Sequence, residues 1–173
     1  MAKNILFSTI FFLTLCITPI SVVKAEEGVE DKPFKSTPYP VPRFVSLNAD
    51  EVFVRSGPGK KYPIQWVFQK DRLPVEIILE FEHWRKIRDH EGQTGWVYGP
   101  LLSGQRTGLI VSEELSLMRT KPQDGSAPVA QLEPLLLVSI KACELQFCRV
   151  EASGTKGWLS KSDIWGVYAE EVF

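Results

Sequence analysis

The sequence predicts an all-β protein made of two small, turn-rich units in tandem. An internal repeat is the first observation behind this. Residues 80–104, EFEHWRKIRDHEGQTGWVYGPLLSG, recur as 143–166, CELQFCRVEASGTKGWLSKSDIWG. Trp84 falls on Phe147, Lys86 on Arg149, Ile87 on Val150, Gly95-Trp96 on Gly157-Trp158 and Gly104 on Gly166. Self-similarity at a fixed offset marks a duplicated structural unit. The second observation is periodicity: apolar residues alternate with polar ones, and no 3.6-residue period of any length follows residue 25. The third is turn chemistry, with Gly and Pro clusters between the apolar runs.

Each element follows from local composition. Glu51 to Arg55 reads as a strand, followed by the turn Ser56-Gly57-Pro58-Gly59 and then by Tyr62-Pro63. Residues 64–68 form a second strand and 69–72 a charged turn. Val75, Ile77, Leu79 and Phe81 alternate with Glu76, Ile78, Glu80 and Glu82, a strand period that separates the two sets onto opposite faces. Residues 84–88 return, 89–94 turn, and 95–98 form a further strand. Pro100-Leu101-Leu102 suits a single 3₁₀ turn. In the second copy Leu115 to Arg119 repeats the first strand, placing Arg119 on Arg55 and Pro122 on Pro58. Residues 128–132 and 135–142 follow as strands. Lys141 falls on Ile78 and breaks the alternation there. The copies are joined with almost no linker, so the units are expected to pack together.

The amino terminus has the composition of a targeting segment. Lys3 precedes an apolar run from Ile5 to Ile17, and Val23-Lys24-Ala25 fits a small-residue cleavage site. The run of 13 residues is short of the ~20 needed to span a bilayer, and Pro19 interrupts its continuation. Leu15 stands before Cys16 where lipid modification expects a small residue. The reading is a signal peptide over 1–25, cleaved after Ala25, and a periplasmic product with no stable membrane span. A charged, proline-rich lead-in over 26–43 is expected to be an extended spacer. The two units then occupy 44–108 and 109–170.

Cleavage leaves 148 residues and takes the net charge from -1 to -3. Nucleic-acid binding demands a basic face, so this balance argues against it. Cleavage also leaves two cysteines, Cys143 and Cys148, flanking Glu144 to Phe147. An even count in an exported protein points to a disulfide across a hairpin. A metal site lacks further ligands, because His83 and His90 lie in the other copy, and the Cys-x-x-Cys spacing of a redox site is missing. The aligned pair in the first copy is Glu80 and Arg85. Opposite charges there are expected to clamp the same hairpin as an exposed ion pair, contributing about 0.2–1 kcal/mol and leaving the first hairpin the looser one.

Val54-Arg55-Ser56-Gly57-Pro58-Gly59 with Tyr62-Pro63, the Trp84-x-Lys86-Ile87 strand and Gly95-Trp96-Val97 together resemble the bacterial SH3-like (SH3b) domain family. The second copy resembles its exported subgroup through Cys143, Phe147-Cys148-Arg149-Val150, Gly157-Trp158-Leu159 and Ile164-Trp165-Gly166. It departs from the pattern in its first turn, where paired glycines and a tyrosine matching Tyr62 are missing. The resemblance covers residues 44–168. It implies two small, strongly bent, SH3-like β-barrels, serving as targeting or binding modules, often toward cell-wall peptides.

Catalytic machinery is not legible. Nucleophilic catalysis needs a Ser, Cys or Thr beside a positioned base, the acidic residues are scattered, and no Gly-rich phosphate loop opens a helix. No enzyme, cofactor or metal is expected. Aromatic side chains offer large contact area at low entropic cost. The candidate ligand-binding residues are Tyr62, Trp66, Trp84, Trp96 and Tyr98 with Arg55 as polar handle, and Phe147 and Trp165 in the second copy. Tyr62, Trp84 and Tyr98 are expected to be exposed, and Trp96 to pack against the barrel. The expected partner is a cell-wall peptide or peptidoglycan-type ligand, with an envelope protein as the alternative.

Overall fold

The computed structural model describes residues 37–173. The expected signal peptide and the lead-in up to residue 36 lie outside the described residues. The described residues fall within one compact unit, in which the chain builds two seven-stranded antiparallel sheets. The first contains β1 (Arg43–Leu47), β2 (Val52–Arg55), β3 (Ile64–Phe68), β4 (Pro74–Phe81), β5 (Trp84–Arg88), β6 (Thr94–Tyr98) and β7 (Leu102–Ser103), with a 3₁₀ turn at Gly99–Leu101. The second contains β8 (Thr107–Ile110), β9 (Ser116–Arg119), β10 (Pro128–Leu132), β11 (Leu137–Cys143), β12 (Phe147–Ala152), β13 (Thr155–Ser160) and β14 (Ile164–Trp165), with a 3₁₀ turn at Lys161–Asp163. The strand orders, β3-β2-β6-β5-β4-β1-β7 and β10-β9-β13-β12-β11-β8-β14, match strand for strand. Among the described residues no helix is long and apolar enough to cross a membrane.

Each sheet bends around its own apolar core. Val52, Val54, Val75, Ile77, Ile87 and Val97 fill the first. Met118, Val138, Ile140, Val150, Leu159 and Ile164 fill the second. These are the alternate, inward-facing residues of the long strands, as strand geometry requires. The glycine before each repeated tryptophan permits the sheet to close. A Cβ on Gly95 would overlap Val54, and one on Gly157 would come within 2.6 Å of Met118.

The alternation expected for β4 holds only as far as Ile77. The register between β4 and β5 slips between Ile77 and Leu79, and that between β11 and β12 slips between Ile140 and Ala142. The bulged residues are Ile78 and Lys141, the aligned pair at which the periodicity failed. A bulge inserts one residue and reverses which face the following side chains occupy. Beyond it Phe81 turns outward, and Glu80, two residues past the bulge, is completely buried.

The expected exposed ion pair is therefore corrected. Glu80 lies directly opposite Arg85, as Cys143 lies opposite Cys148, and the two cysteines are disulfide-bonded. Glu80, however, sits inside the end of the barrel. Arg43 Nη2 reaches its carboxylate at 2.6 Å and Arg85 Nε at 3.4 Å. The Thr37 amide and hydroxyl donate to it at 2.7 and 2.8 Å. Burial pushes this carboxyl's pKa up, but the hydrogen bonds from Arg43 and Thr37 outweigh it and hold the pKa below the ordinary 4.5. A buried charge network of this kind is of a different order from a surface pair. Thr37 also shows that the described end of the lead-in is docked on its own barrel, not a free spacer.

The short join brings the barrels into contact. Phe44 of the first stacks edge-on against Trp165 of the second, with ring centroids 5.1 Å apart, and packs on Tyr168 at 4.7 Å. The Tyr168 hydroxyl donates to Glu76 at 2.8 Å, and burial and that carboxylate both push the phenol's pKa well up. Glu76 also accepts from Arg88. The Thr107 hydroxyl donates to the Arg72 carbonyl at 2.7 Å, and the Arg72 guanidinium bonds Ser139. Glu76, an outward residue of β4, is buried because the second barrel covers it.

Candidate binding faces

Strand pairing assembles most of the first-copy aromatics on one outer face. Arg55 on β2 lies opposite Trp96 on β6, which lies opposite Lys86 on β5, which lies opposite Leu79 on β4. One row on, Phe81, Trp84 and Tyr98 lie side by side. All these side chains occupy outward positions of the pleat. Trp84 and Tyr98 are in ring contact, with centroids 5.6 Å apart, and the exposed His83 sits edge-on to Tyr98 at 6.5 Å. Tyr98 and Phe81 are both 39 % exposed, while Trp84 and Trp96 are half-buried.

The other candidates lie elsewhere. Trp66 turns inward against the first core and packs on Phe68, because β3 places it opposite the buried Val54. Tyr62 is half-buried under Gly57, where a Cβ would come within 2.5 Å of the ring. Arg55 is held by its own loop: its Nη1 donates to the Tyr62 carbonyl at 2.8 Å and to the Lys60 carbonyl at 3.2 Å. Arg119 does the same in the second copy, donating to the Ser126 carbonyl at 2.8 Å. The shared arginine thus staples a turn, and Ser126 stands where Tyr62 stands in the first copy.

The second barrel keeps one row and not the other. Arg119, Trp158, Arg149 and Ala142 repeat the first row. The second row becomes Phe147 opposite Ser160, and Phe147 is only 7 % exposed. It underlies a depression of about 280 Å³ shared with Leu115, Arg119 and Asp163. Trp165 is committed to the contact with Phe44. The sequence missed Phe44, Phe81 and Tyr168. Phe81 was detectable once the shared break at Ile78 and Lys141 is read as a bulge.

A second group of charged residues gathers where the barrels meet. Arg106 bonds the Glu171 carboxylate and donates to the Gly166 carbonyl at 2.7 Å. The Lys161 ammonium donates to the carbonyls of Ala169 and Glu171 at 2.9 and 2.7 Å. Burial raises the pKa of Glu171, while hydrogen bonds from Arg106 and the Tyr168 amide, with the charges of Arg106 and Lys161, bring it below the ordinary 4.5. Among the described residues no group of three or more His, Cys, Asp or Glu side chains is placed to hold a metal ion.

Two seven-stranded barrels with a stapled first turn and a Gly-Trp strand define a small β-barrel module present twice. The family model for the bacterial SH3 domain matches residues 48–104 and 112–166, and the chain belongs to that family. Such domains are typically non-catalytic binding modules. No curated protein matches the chain. Among solved structures, NlpC2 from Trichomonas vaginalis is similar over 73 % of this chain and 49 % of its own, at 13 % identity and a TM-score of 0.34. NlpC1 from the same organism is similar over 75 % and 47 %, at 14 % identity and a TM-score of 0.34. The chain thus spans about half the length of each, and likeness at this level carries no argument about activity.

Proposed function

We propose that the protein is an exported, non-catalytic binding module that holds a cell-wall peptide or peptidoglycan-type ligand against the outer face of its first barrel. The observation that carries this reading is the cross-strand row Phe81–Trp84–Tyr98 beside Trp96. Three adjacent aromatic rings at the solvent boundary provide stacking area on a rigid sheet, which suits peptide or glycan recognition. Arg55 acts here as a fastener of the adjoining loop, so contact falls to the rings and to Lys86.

The test is co-sedimentation of the purified protein with cell-wall sacculi. The double substitution Trp84→Ala and Tyr98→Ala is expected to reduce retention about tenfold or more, while Trp158→Ala in the second barrel leaves it within about twofold. Unretained wild-type protein, or equal retention of the double variant, would overturn the reading. A second reading, an envelope scaffold with no wall ligand, is favoured by one feature. Leu115, Leu117 and Val129 of the second barrel are exposed, and apolar side chains in such a position suit contact with another protein.

A further inference from the structure

A cleft of about 500 Å³ opens beside the seam between the barrels. That volume lies in the range of small-molecule sites. Its lining includes Arg43, Arg85 and Arg106, with Tyr39, Phe44 and Leu102 as apolar wall. The three guanidiniums come from β1, β5 and the join between the domains, separate parts of the chain that only the tertiary fold brings together. Arg43, Arg85 and Arg106 are 18, 12 and 19 % exposed.

The charges do not cancel. Among the described residues, Glu80 pairs with Arg43 and Arg85, and Glu171 pairs with Arg106. Among the described residues, three guanidiniums against two carboxylates leave an excess of positive charge. Lys161, bound behind Glu171 through its carbonyl, adds to the positive potential. Among the described residues Arg106 Nε, which is buried, has no hydrogen-bond partner, and an unmet buried donor costs free energy until something accepts from it. Planar guanidiniums suit a carboxylate, which they can bind through two parallel hydrogen bonds. A neutral ligand would leave that excess charge unmet, and inorganic phosphate has no portion to lay against the apolar wall of Tyr39, Phe44 and Leu102.

We infer that this cleft is a binding site for a monocarboxylate carrying a short apolar or amide portion, the chemistry of the free carboxyl end of a small peptide. The carboxylate sits against Arg106 and Arg85, and the remainder lies along Tyr39, Phe44 and Leu102. The site is separate from the aromatic face and stands whether or not that face binds cell wall.

The experiment uses acetyl-dialanine as free acid, the same compound as its carboxamide, and inorganic phosphate, each titrated into the purified protein and followed by backbone NMR shifts. The free acid is expected to saturate with a Kd in the ~0.1–1 mM range, reasonable for so small a ligand. The carboxamide should bind at least about tenfold more weakly. Shifts should map to residues 99–106 and 171. Equal binding of acid and amide, tighter binding of phosphate, or no saturation by ~10 mM acid would overturn the inference. Shifts confined to Trp84, Trp96 and Tyr98 would also overturn it while leaving the proposed cell-wall function intact. Arg106→Gln should abolish the preference for acid over amide. Because Arg106 also anchors Glu171, a second variant guards against loss of structure. Gly104 lines the cleft, and a Cβ there meets nothing within 4 Å. Gly104→Trp should therefore block the acid without lowering Tm, and unchanged binding in that variant would count against the site.

Discussion

The two barrels use the same strand order, the same bulge, the same Gly-Trp strand and the same arginine staple, yet they secure the end of the β4–β5 or β11–β12 hairpin differently. In the first barrel Glu80 lies buried beneath Arg43, Arg85 and Thr37. In the second, Cys143 and Cys148 are bonded at the aligned positions within the apolar core. The backbone there is comparable in both; what differs is whether the site is closed covalently or by charge. A disulfide is self-contained. An ionic cluster recruits neighbours, and it draws the lead-in onto the barrel through Thr37. The outer face diverges in step: Phe81, Trp84 and Tyr98 in the first barrel correspond to Glu144, Phe147 and Ser160 in the second.

The sharpest way to break this comparison is to remove the central carboxylate. Glu80→Ala leaves two guanidiniums buried and unpaired, a loss expected to destabilise by about 3–5 kcal/mol. Urea unfolding followed by tryptophan fluorescence measures the total, and amide exchange locates it. Protection should fall in residues 79–88 well before 140–152. A loss under about 1 kcal/mol would return the pair to the surface-like role expected from sequence.

Replacing both cysteines by alanine should cost less, about 2 kcal/mol for so short a closed loop. The loosening should appear in residues 140–152 and at the segment 171–173, because Cys143 and Phe173 exchange backbone hydrogen bonds at 2.8 and 3.1 Å. Uniform loss of protection across both barrels would contradict separate clamps.

The smallest effect is set by pH. Glu80 and Glu171 both have folded pKa values below the ordinary 4.5. Their stabilisation is therefore fully present above about pH 4.5 and is lost as pH falls through the lower folded values. The disulfide does not titrate. Between pH 7 and pH 5 the Tm should hardly change; below 4.5 exchange should accelerate in residues 79–88 before 140–152. Stability that rises on acidification from pH 4.5 would reverse the sign and remove the ionic clamp from the argument.

Much of the fold was readable from residue order. The duplication, the strand period, the paired turn signals and the two sulfur positions are local features, and local geometry acts on them directly. The Gly-Trp strand was legible for the same reason, since only glycine lets β6 lie so close to Val54 of β2, and β13 so close to Met118 of β9. The candidate face was partly legible. Trp84, Trp96 and Tyr98 share it, whereas Trp66 belongs to the core and Arg55 to its own turn. Lys141 at the position of Ile78 already marked the break in alternation, but its consequence, the exchange of faces that buries Glu80 and exposes Phe81, depends on the register with the neighbouring strand.

By itself, then, the sequence determined the class of each barrel, their number and the hairpin sulfur bond, because these follow from contacts between residues close in the chain or repeated along it. Only the tertiary structure decided which charges are buried, how Phe44, Trp165 and Tyr168 join the domains, and that Arg43, Arg85 and Arg106 converge on one cleft. Those outcomes depend on contacts between residues tens of positions apart, and their energies change sign with burial, which no local pattern encodes.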